Sequence, residues 1–345
     1  MRRTILWHTA AGLVLAGLAI LSAGCRKELC YDHDEHAFSV KVNLAAAWER
    51  EWERDLGMGW KNVWEGKGWN EWIPYDNLRP GVPTGIRAVV YEENGGHDVR
   101  NLASGGGRLY MNEGRYSILF YNNDTEYIVF DGQTSSATMT ATTRTRTRAG
   151  FNELHEEERT VNQPDMLYGA YIAEYEAKPT SEPDELPATM HPLTYTYVLR
   201  YEFSHGAQYI ALARGALAGM AESVYLQDGH TGSNTATILF DEDACSLTDF
   251  GVQARIRSFG APDYPGSGYG RTGKRYSMSL QVILKNGKDK NFTFDVTDQV
   301  TSQPRGGVIV VPDLVITDEE GESGGSGFDV NVGDWGDTED IVLPI

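Results

Sequence analysis

From Phe38 to Val311 the sequence keeps returning to one period, and that period is two. Tyr195, Tyr197, Leu199 and Tyr201 alternate with Thr196, Val198 and Arg200. Such a segment is extended, with one face toward a core and the other toward water. Phe38, Val40, Val42 and Leu44 alternate in the same way with Ser39, Lys41 and Asn43, and Ile86, Ala88 and Val90 with Arg87, Val89 and Tyr91. Comparable runs recur at 109–111, 114–124, 126–130, 166–175, 223–226, 236–240, 251–259, 276–284, 292–296 and 307–311. Asn94-Gly95-Gly96, Gly105 to Gly107 and Asn286-Gly287 punctuate them as turns. The pattern predicts an all-β fold. A chain of 345 residues suits two domains, and the proline-rich, acidic stretch 178–192 reads as the linker between them. The expected units are therefore 36–177 and 193–345.

Two stretches break the period. Ala45 to Leu56 predicts a helix, with Trp48 and Trp52 one turn apart. The small residues from Ala211 to Met220 suggest a second short helix, weakened by Gly215 and Gly219. Six of the eight tryptophans fall between 48 and 72, and glycines alternate with Trp60, Trp64, Trp69 and Trp72. Indole faces stack on sugar rings or fill partner pockets, so these four are candidate contacts for a glycan or a protein partner. The other reading is an excursion that packs its own tryptophans as a mini-core under the sandwich.

The first 24 residues form a secretory leader: Arg2 and Arg3, an apolar run from Ile5 to Leu21, then small residues before Cys25. Leu-Ser-Ala-Gly-Cys resembles the lipobox of bacterial lipoproteins, which implies an acyl (palmitate-type) anchor on the Cys25 thiol and an outer-membrane location. Residues 25–35 are then a charged tether. The formal net charge is −19, and −21 once Arg2 and Arg3 are removed. That balance argues against nucleic acid, whose phosphates need a basic face. It also leaves membrane attachment to the lipid rather than to the protein surface. Cys30 and Cys245 are either a disulfide pair or two separate thiols. No cofactor or metal motif stands out. Gly268 to Lys274 approaches a phosphate-binding loop, but Arg275 replaces the hydroxyl residue and a strand follows. Asp241-Glu242-Asp243 lacks the spaced ligands of a calcium loop.

Cys25, Leu29-Cys30-Tyr31-Asp32-His33, the strand ending in Tyr91, and Gly114-x-Tyr116 running into Tyr121-Asn122-Asn123-Asp124-Thr125-Glu126 resemble the fimbrillin-associated anchor lipoproteins of the Bacteroidetes. The resemblance implies two tandem, transthyretin-like β-sandwich domains, attachment to a pilus built of fimbrillin subunits, and no enzymatic activity. A surface glycan-binding lipoprotein using the tryptophan-rich excursion is the alternative. At the C-terminus, Gly321 to Gly327 is a spacer before an alternating segment carrying Phe328, Val330 and Val332. That segment either closes its own sheet or is donated to the edge of another subunit's sheet.

Overall fold

A computed structural model of the chain describes residues 40–49, 60–71, 73–78, 81–146, 158–179, 182–266, 269 and 273–322. The fold is mostly β. In the first half the strands are β1 (Val40–Trp48), β2 (Gly85–Glu92), β3 (His97–Ala103), β4 (Gly106–Met111), β5 (Gly114–Asn122), β6 (Ile128–Asp131), β7 (Thr140–Thr143), β8 (Arg159–Asn162), β9 (Tyr168–Ala177) and β10 (Asp184–Pro192). Seven of them close on themselves in the order β1-β10-β9-β5-β2-β3-β4. The closure is thin. The β3/β4 seam has the single pair Ala103↔Gly106, and the β9/β10 seam only His191↔Gly169 and Pro192↔Tyr168. The result is a flattened barrel, in which the ladder β9-β5-β2-β3 faces β10-β1-β4 across Val42, Leu44, Ile86, Ile118, Phe120 and Met190. Gly106 makes the β3/β4 corner: its φ is +106°, and a Cβ there would sit 1.9 Å from the Leu44 carbonyl oxygen. Only glycine fits both demands.

Two expectations give way in this unit. Ala45 to Trp48 continue β1 rather than start a helix, because β10 pairs on one side through Trp48↔Met190 and β4 on the other through Ala45↔Gly106. The remainder of that expected helix lies outside the described residues. The second change is at 184–192, where the predicted linker is strand β10. Leu186, Ala188 and Met190 point into the core while Glu185, Pro187 and Thr189 point out. Pro187 survives because β10 meets β9 only at its end, through His191 and Pro192, so the side of the strand around Pro187 is an open edge with no ladder bond to lose.

The second half contributes β11 (Tyr195–His205), β12 (Ile210–Ala221), β13 (Ser223–Tyr225), β14 (Thr235–Phe240), β15 (Cys245–Thr248), β16 (Gly251–Ser258), β17 (Ser277–Leu284), β18 (Asp289–Asp295) and β19 (Gly307–Val315). Sheet β15-β16-β11-β19 lies against sheet β18-β17-β12-β14-β8. Between them sit Tyr197, Leu199, Tyr201, Leu217, Phe240, Ile256, Leu280 and Ile309. Asn286-Gly287 makes the β17–β18 hairpin turn, with Gly287 at φ +83°. Cys245 is half-buried at the margin of this core, and Cys30 lies outside the described residues.

The stretch 210–221 is strand β12, not a helix. Its small residues serve a sheet neighbour: a Cβ on Gly215 would lie 2.4 Å from both the Phe240 ring and the Ser279 carbonyl oxygen. Gly215→Ala is expected to cost about 1–3 kcal/mol through overpacking, measured as a lower unfolding midpoint.

The two halves interlock. β8 from the first half pairs in parallel with β14, from Ala236↔Arg159 to Leu239↔Asn162. β13 from the second half pairs with β7 and completes the small sheet β13-β7-β6. That sheet packs on the outside of the flattened barrel, where Val89, Tyr91, Leu119 and Tyr121 meet Met139, Val224, Leu226 and Phe259.

Candidate functional site

The tryptophan-rich excursion between β1 and β2 starts from a short helix, α1 (Trp60–Gly66), followed by 3-10 turns at Trp69–Glu71 and Tyr75–Leu78. It packs against the second half of the chain. Trp64, Tyr75 and Leu78 are buried with Val198 of β11 and Val308 of β19, on the outer face of the four-stranded sheet. Trp64 is 2 % exposed. Its indole meets the Trp69 ring edge-on at 5.2 Å and donates from Nε1 to the Ile73 carbonyl at 2.8 Å. No face of Trp64 is open to a ligand, so a platform reading fails at that residue. Packing decides it: two sheet valines give the indole a surface that a solvent-facing ring would lack. Trp69 is half-buried, with the Arg200 guanidinium 5.8 Å from its ring centre. Trp60 opens α1. Trp72, Cys25, Phe328, Val330 and Val332 lie outside the described residues.

Polar clips hold the cap in place. Arg255 of β16 donates from Nη1 to the Asn77 carbonyl at 3.1 Å and from Nη2 to the Leu78 carbonyl at 3.0 Å. Arg200 sits 4.1 Å over the Phe250 ring and donates to Glu202 at 2.7 and 3.1 Å. Burial lowers the Arg200 pKa from its ordinary value, and the Glu202 bond opposes that shift. A guanidinium remains charged under both influences.

Beside the cap the same sheet face is uncovered. Here a cleft of about 700 Å³ opens between the cap (Ile73, Asn77, Gly81), the 163–165 loop with Tyr127, and outward-facing residues of β15 and β16. Val252 and Ala254 of β16 point into the core, so Gln253, Arg255 and Arg257 face the cleft. Gln253 is 8 % exposed and lines the cleft floor. Asp165 is held rigidly, since one of its oxygens accepts the backbone N–H groups of Glu126, Tyr127 and Ile128 at 2.8, 2.6 and 3.2 Å. Among the described residues no group of three or more His, Cys, Asp or Glu could hold a metal ion. Sequence reading missed the cleft because its lining comes from segments up to about 180 residues apart. No local spacing records such a meeting.

A second exposed feature is β3. All seven of its residues except Leu102 are exposed. It pairs with β2 along one side, and its other side has only the corner pair with β4. The Val99 N–H points to that open side, where the exposed Asp98 carboxylate accepts it at 2.9 Å.

A family model described as a domain of unknown function, DUF5119, matches residues 72–241. A curated protein of Bacteroides ovatus named as a fimbrium anchoring subunit, Fim4B, is 25 % identical over 298 residues, covering 79 % of this chain and 88 % of its own. A solved structure of a Bacteroides ovatus protein described as an adhesin superposes with a TM-score of 0.56 at 20 % identity, over 86 % of this chain and 95 % of that one. The fimbrial anchor protein Mfa2 of Porphyromonas gingivalis aligns with a TM-score of 0.45 at 10 % identity, over 79 % of this chain and 90 % of that one.

Proposed function

We propose that the chain is a member of the fimbrillin-like, Mfa-type anchor family of the Bacteroidetes and that it anchors or accompanies a fimbrillin-type pilus in the cell envelope, without enzymatic activity. The observation that supports this most is the match to a fimbrium anchoring subunit over 79 % of this chain and 88 % of that one. In this reading the protein is tethered to the outer membrane by acylation of Cys25. The segment carrying Phe328, Val330 and Val332 is an exchangeable strand. Two tandem sandwich-like units, the first flattened into a barrel, space the pilus from the membrane.

Pilus contact would be made by strand addition at β3. An exposed sheet edge offers backbone donors and acceptors to an extended partner segment, and the Asp98 bond to the Val99 N–H is solvent-exposed and readily exchanged. The test is binding of a purified fimbrillin to the chain and to Val99→Pro. Proline removes an N–H that β2 does not use, so the variant should melt within about 2 °C of the parent while fimbrillin binding falls at least about tenfold. Full binding by Val99→Pro rejects β3 as the docking edge. Absence of binding by the parent chain to any co-encoded fimbrillin rejects the anchor reading itself.

A further inference from the structure

We propose that the fold is a tension joint: force applied between the two ends of the chain passes through two parallel strand overlaps and the short link between them. The proposal rests on the reading above, in which lipid holds the N-terminal end and the C-terminal segment joins a neighbouring subunit.

Strand order and direction carry the argument. β1, the first strand among the described residues, runs parallel to β10 in seven register pairs, from Val42↔Asp184 to Trp48↔Met190. β19, the last one, runs parallel to β11 from Tyr197↔Gly307 to His205↔Val315. β10 and β11 are consecutive, with only Leu193 and Thr194 between them. In a parallel pair the start of one strand and the finish of the other lie at opposite ends of the ladder. Pulling the start of β1 against the finish of β10 therefore loads all seven pairs in shear at once. The same holds for the start of β11 and the finish of β19. Antiparallel overlaps would put both pulled ends together and open pair by pair.

The link has no slack. Leu193 and Thr194 are buried. The Leu193 N–H donates to the Leu167 carbonyl at 2.8 Å, and the Thr194 hydroxyl accepts the Leu167 N–H at 3.0 Å. The Tyr195 hydroxyl closes the corner by donating to the Pro192 carbonyl at 2.9 Å. The thin β3/β4 and β9/β10 seams lie outside this route.

Each overlap resists sliding. A slip of one residue would turn Val42 and Leu44 of β1 out of the barrel core. Asn43 donates across the pair to Glu185 at 2.9 Å, and β4 adds a second ladder along β1. β19 is gripped on both faces, with Ile309 and Val311 in the sandwich core and Val308 under the tryptophan cap. The cap straddles the second overlap, since Trp64, Tyr75 and Leu78 pack on Val198 of β11 and Val308 of β19 together. It keeps water, the competing partner for every ladder bond, off that section.

Beyond β19 the chain is fastened once more, through the short helix Asp318–Glu322. Asp318 pairs with His205 at 2.7 Å and accepts the Tyr209 hydroxyl at 2.9 Å. Lys290 donates to the Glu320 carboxylate at 2.7 and 2.8 Å, while Asn286 donates to the Glu320 and Gly321 carbonyls at 2.7 and 3.0 Å. Tension arriving from the tail meets these ties to β11 and the β17–β18 hairpin before it reaches β19.

Single-molecule stretching of the full chain from position 25 tests the joint, with Cys25→Ser, Cys30→Ser and Cys245→Ser in every preparation. Handles at the two ends load both overlaps in shear. Handles at the N-terminal end and at Glu182→Cys, just before β10, open the first overlap from one end instead. At equal pulling speed the end-to-end rupture force should be at least about twofold higher, because forced unfolding follows the barrier along the pulled direction. A smaller ratio overturns the proposal. Neither force involves fimbrillin, so a failed joint leaves the anchor reading standing, and absent fimbrillin binding leaves the joint standing.

Discussion

Trp64→Ala is expected to destabilise the protein by about 3–5 kcal/mol, the cost of removing a fully buried indole from a site that cannot collapse. The indole fills the space between Tyr75, Leu78, Val198 and Val308, and its Nε1 closes the turn through the Ile73 carbonyl. Without it the cap loses its largest apolar contact on β11 and β19 and is held by Tyr75, Leu78 and the Arg255 clips. A drop of about 10 °C in melting midpoint should accompany protease sensitivity between α1 and β2. Trp69→Ala should cost less, about 1–2 kcal/mol, because that ring is half-buried and touches Trp64 only by its edge. A Trp64→Ala protein melting within 2 °C of the parent would mean that the excursion is not held by packing, and would reopen its reading as a ligand platform.

Part of this arrangement was legible in the sequence and part was not, for identifiable reasons. Alternation located β2, β11, β14, β16, β17 and β19 closely, because each has one face on a core. Asn286-Gly287 placed the β17–β18 hairpin and Asn94-Gly95 the turn after β2, because positive φ is needed there, whereas β3 itself escaped notice because six of its seven residues are exposed. Small residues misled. In 211–220 they imitate a helix, whereas Gly215 and its neighbours are small because Phe240 and the β17 backbone press on them. Composition misled at 184–192, where Pro187 and the acids Asp184 and Glu185 sit on the outer face of a true strand. The tryptophan cluster was visible as a cluster, but its partner surface was not. Val198 and Val308 lie more than 130 residues beyond Trp64, and Val198 reads from sequence as the solvent side of its strand. Their outward position is what the cap covers.

The second large effect is expected at the free side of β19. This strand pairs in parallel with β11 along one edge, and an exposed second edge would invite pairing with another chain. Helix α2 (Thr297–Ser302) covers it. Gln303 accepts the Val308 N–H at 2.8 Å and donates to the Val308 carbonyl at 2.9 Å, while Gln299 does the same for Val310 at 2.9 and 3.0 Å. A primary amide presents a donor and an acceptor much as a peptide group does, so two glutamines stand in for a neighbouring strand. Val300, fully buried between the sheets, fixes the helix from which they reach. Gln299→Ala with Gln303→Ala removes the four hydrogen bonds to β19, at about 0.5–1.5 kcal/mol each. The expected loss is about 2–6 kcal/mol, softened where water reaches the freed groups. The more telling consequence is association: the double variant should form concentration-dependent oligomers that the parent does not, seen by light scattering after size exclusion. Gln303→Glu should weaken the fold without that consequence at neutral pH. A carboxylate still accepts the Val308 N–H but has no proton for the Val308 carbonyl, and its charge keeps a second chain away. If the double alanine variant stays monomeric and melts with the parent, the amides are bystanders and α2 covers the edge by bulk alone.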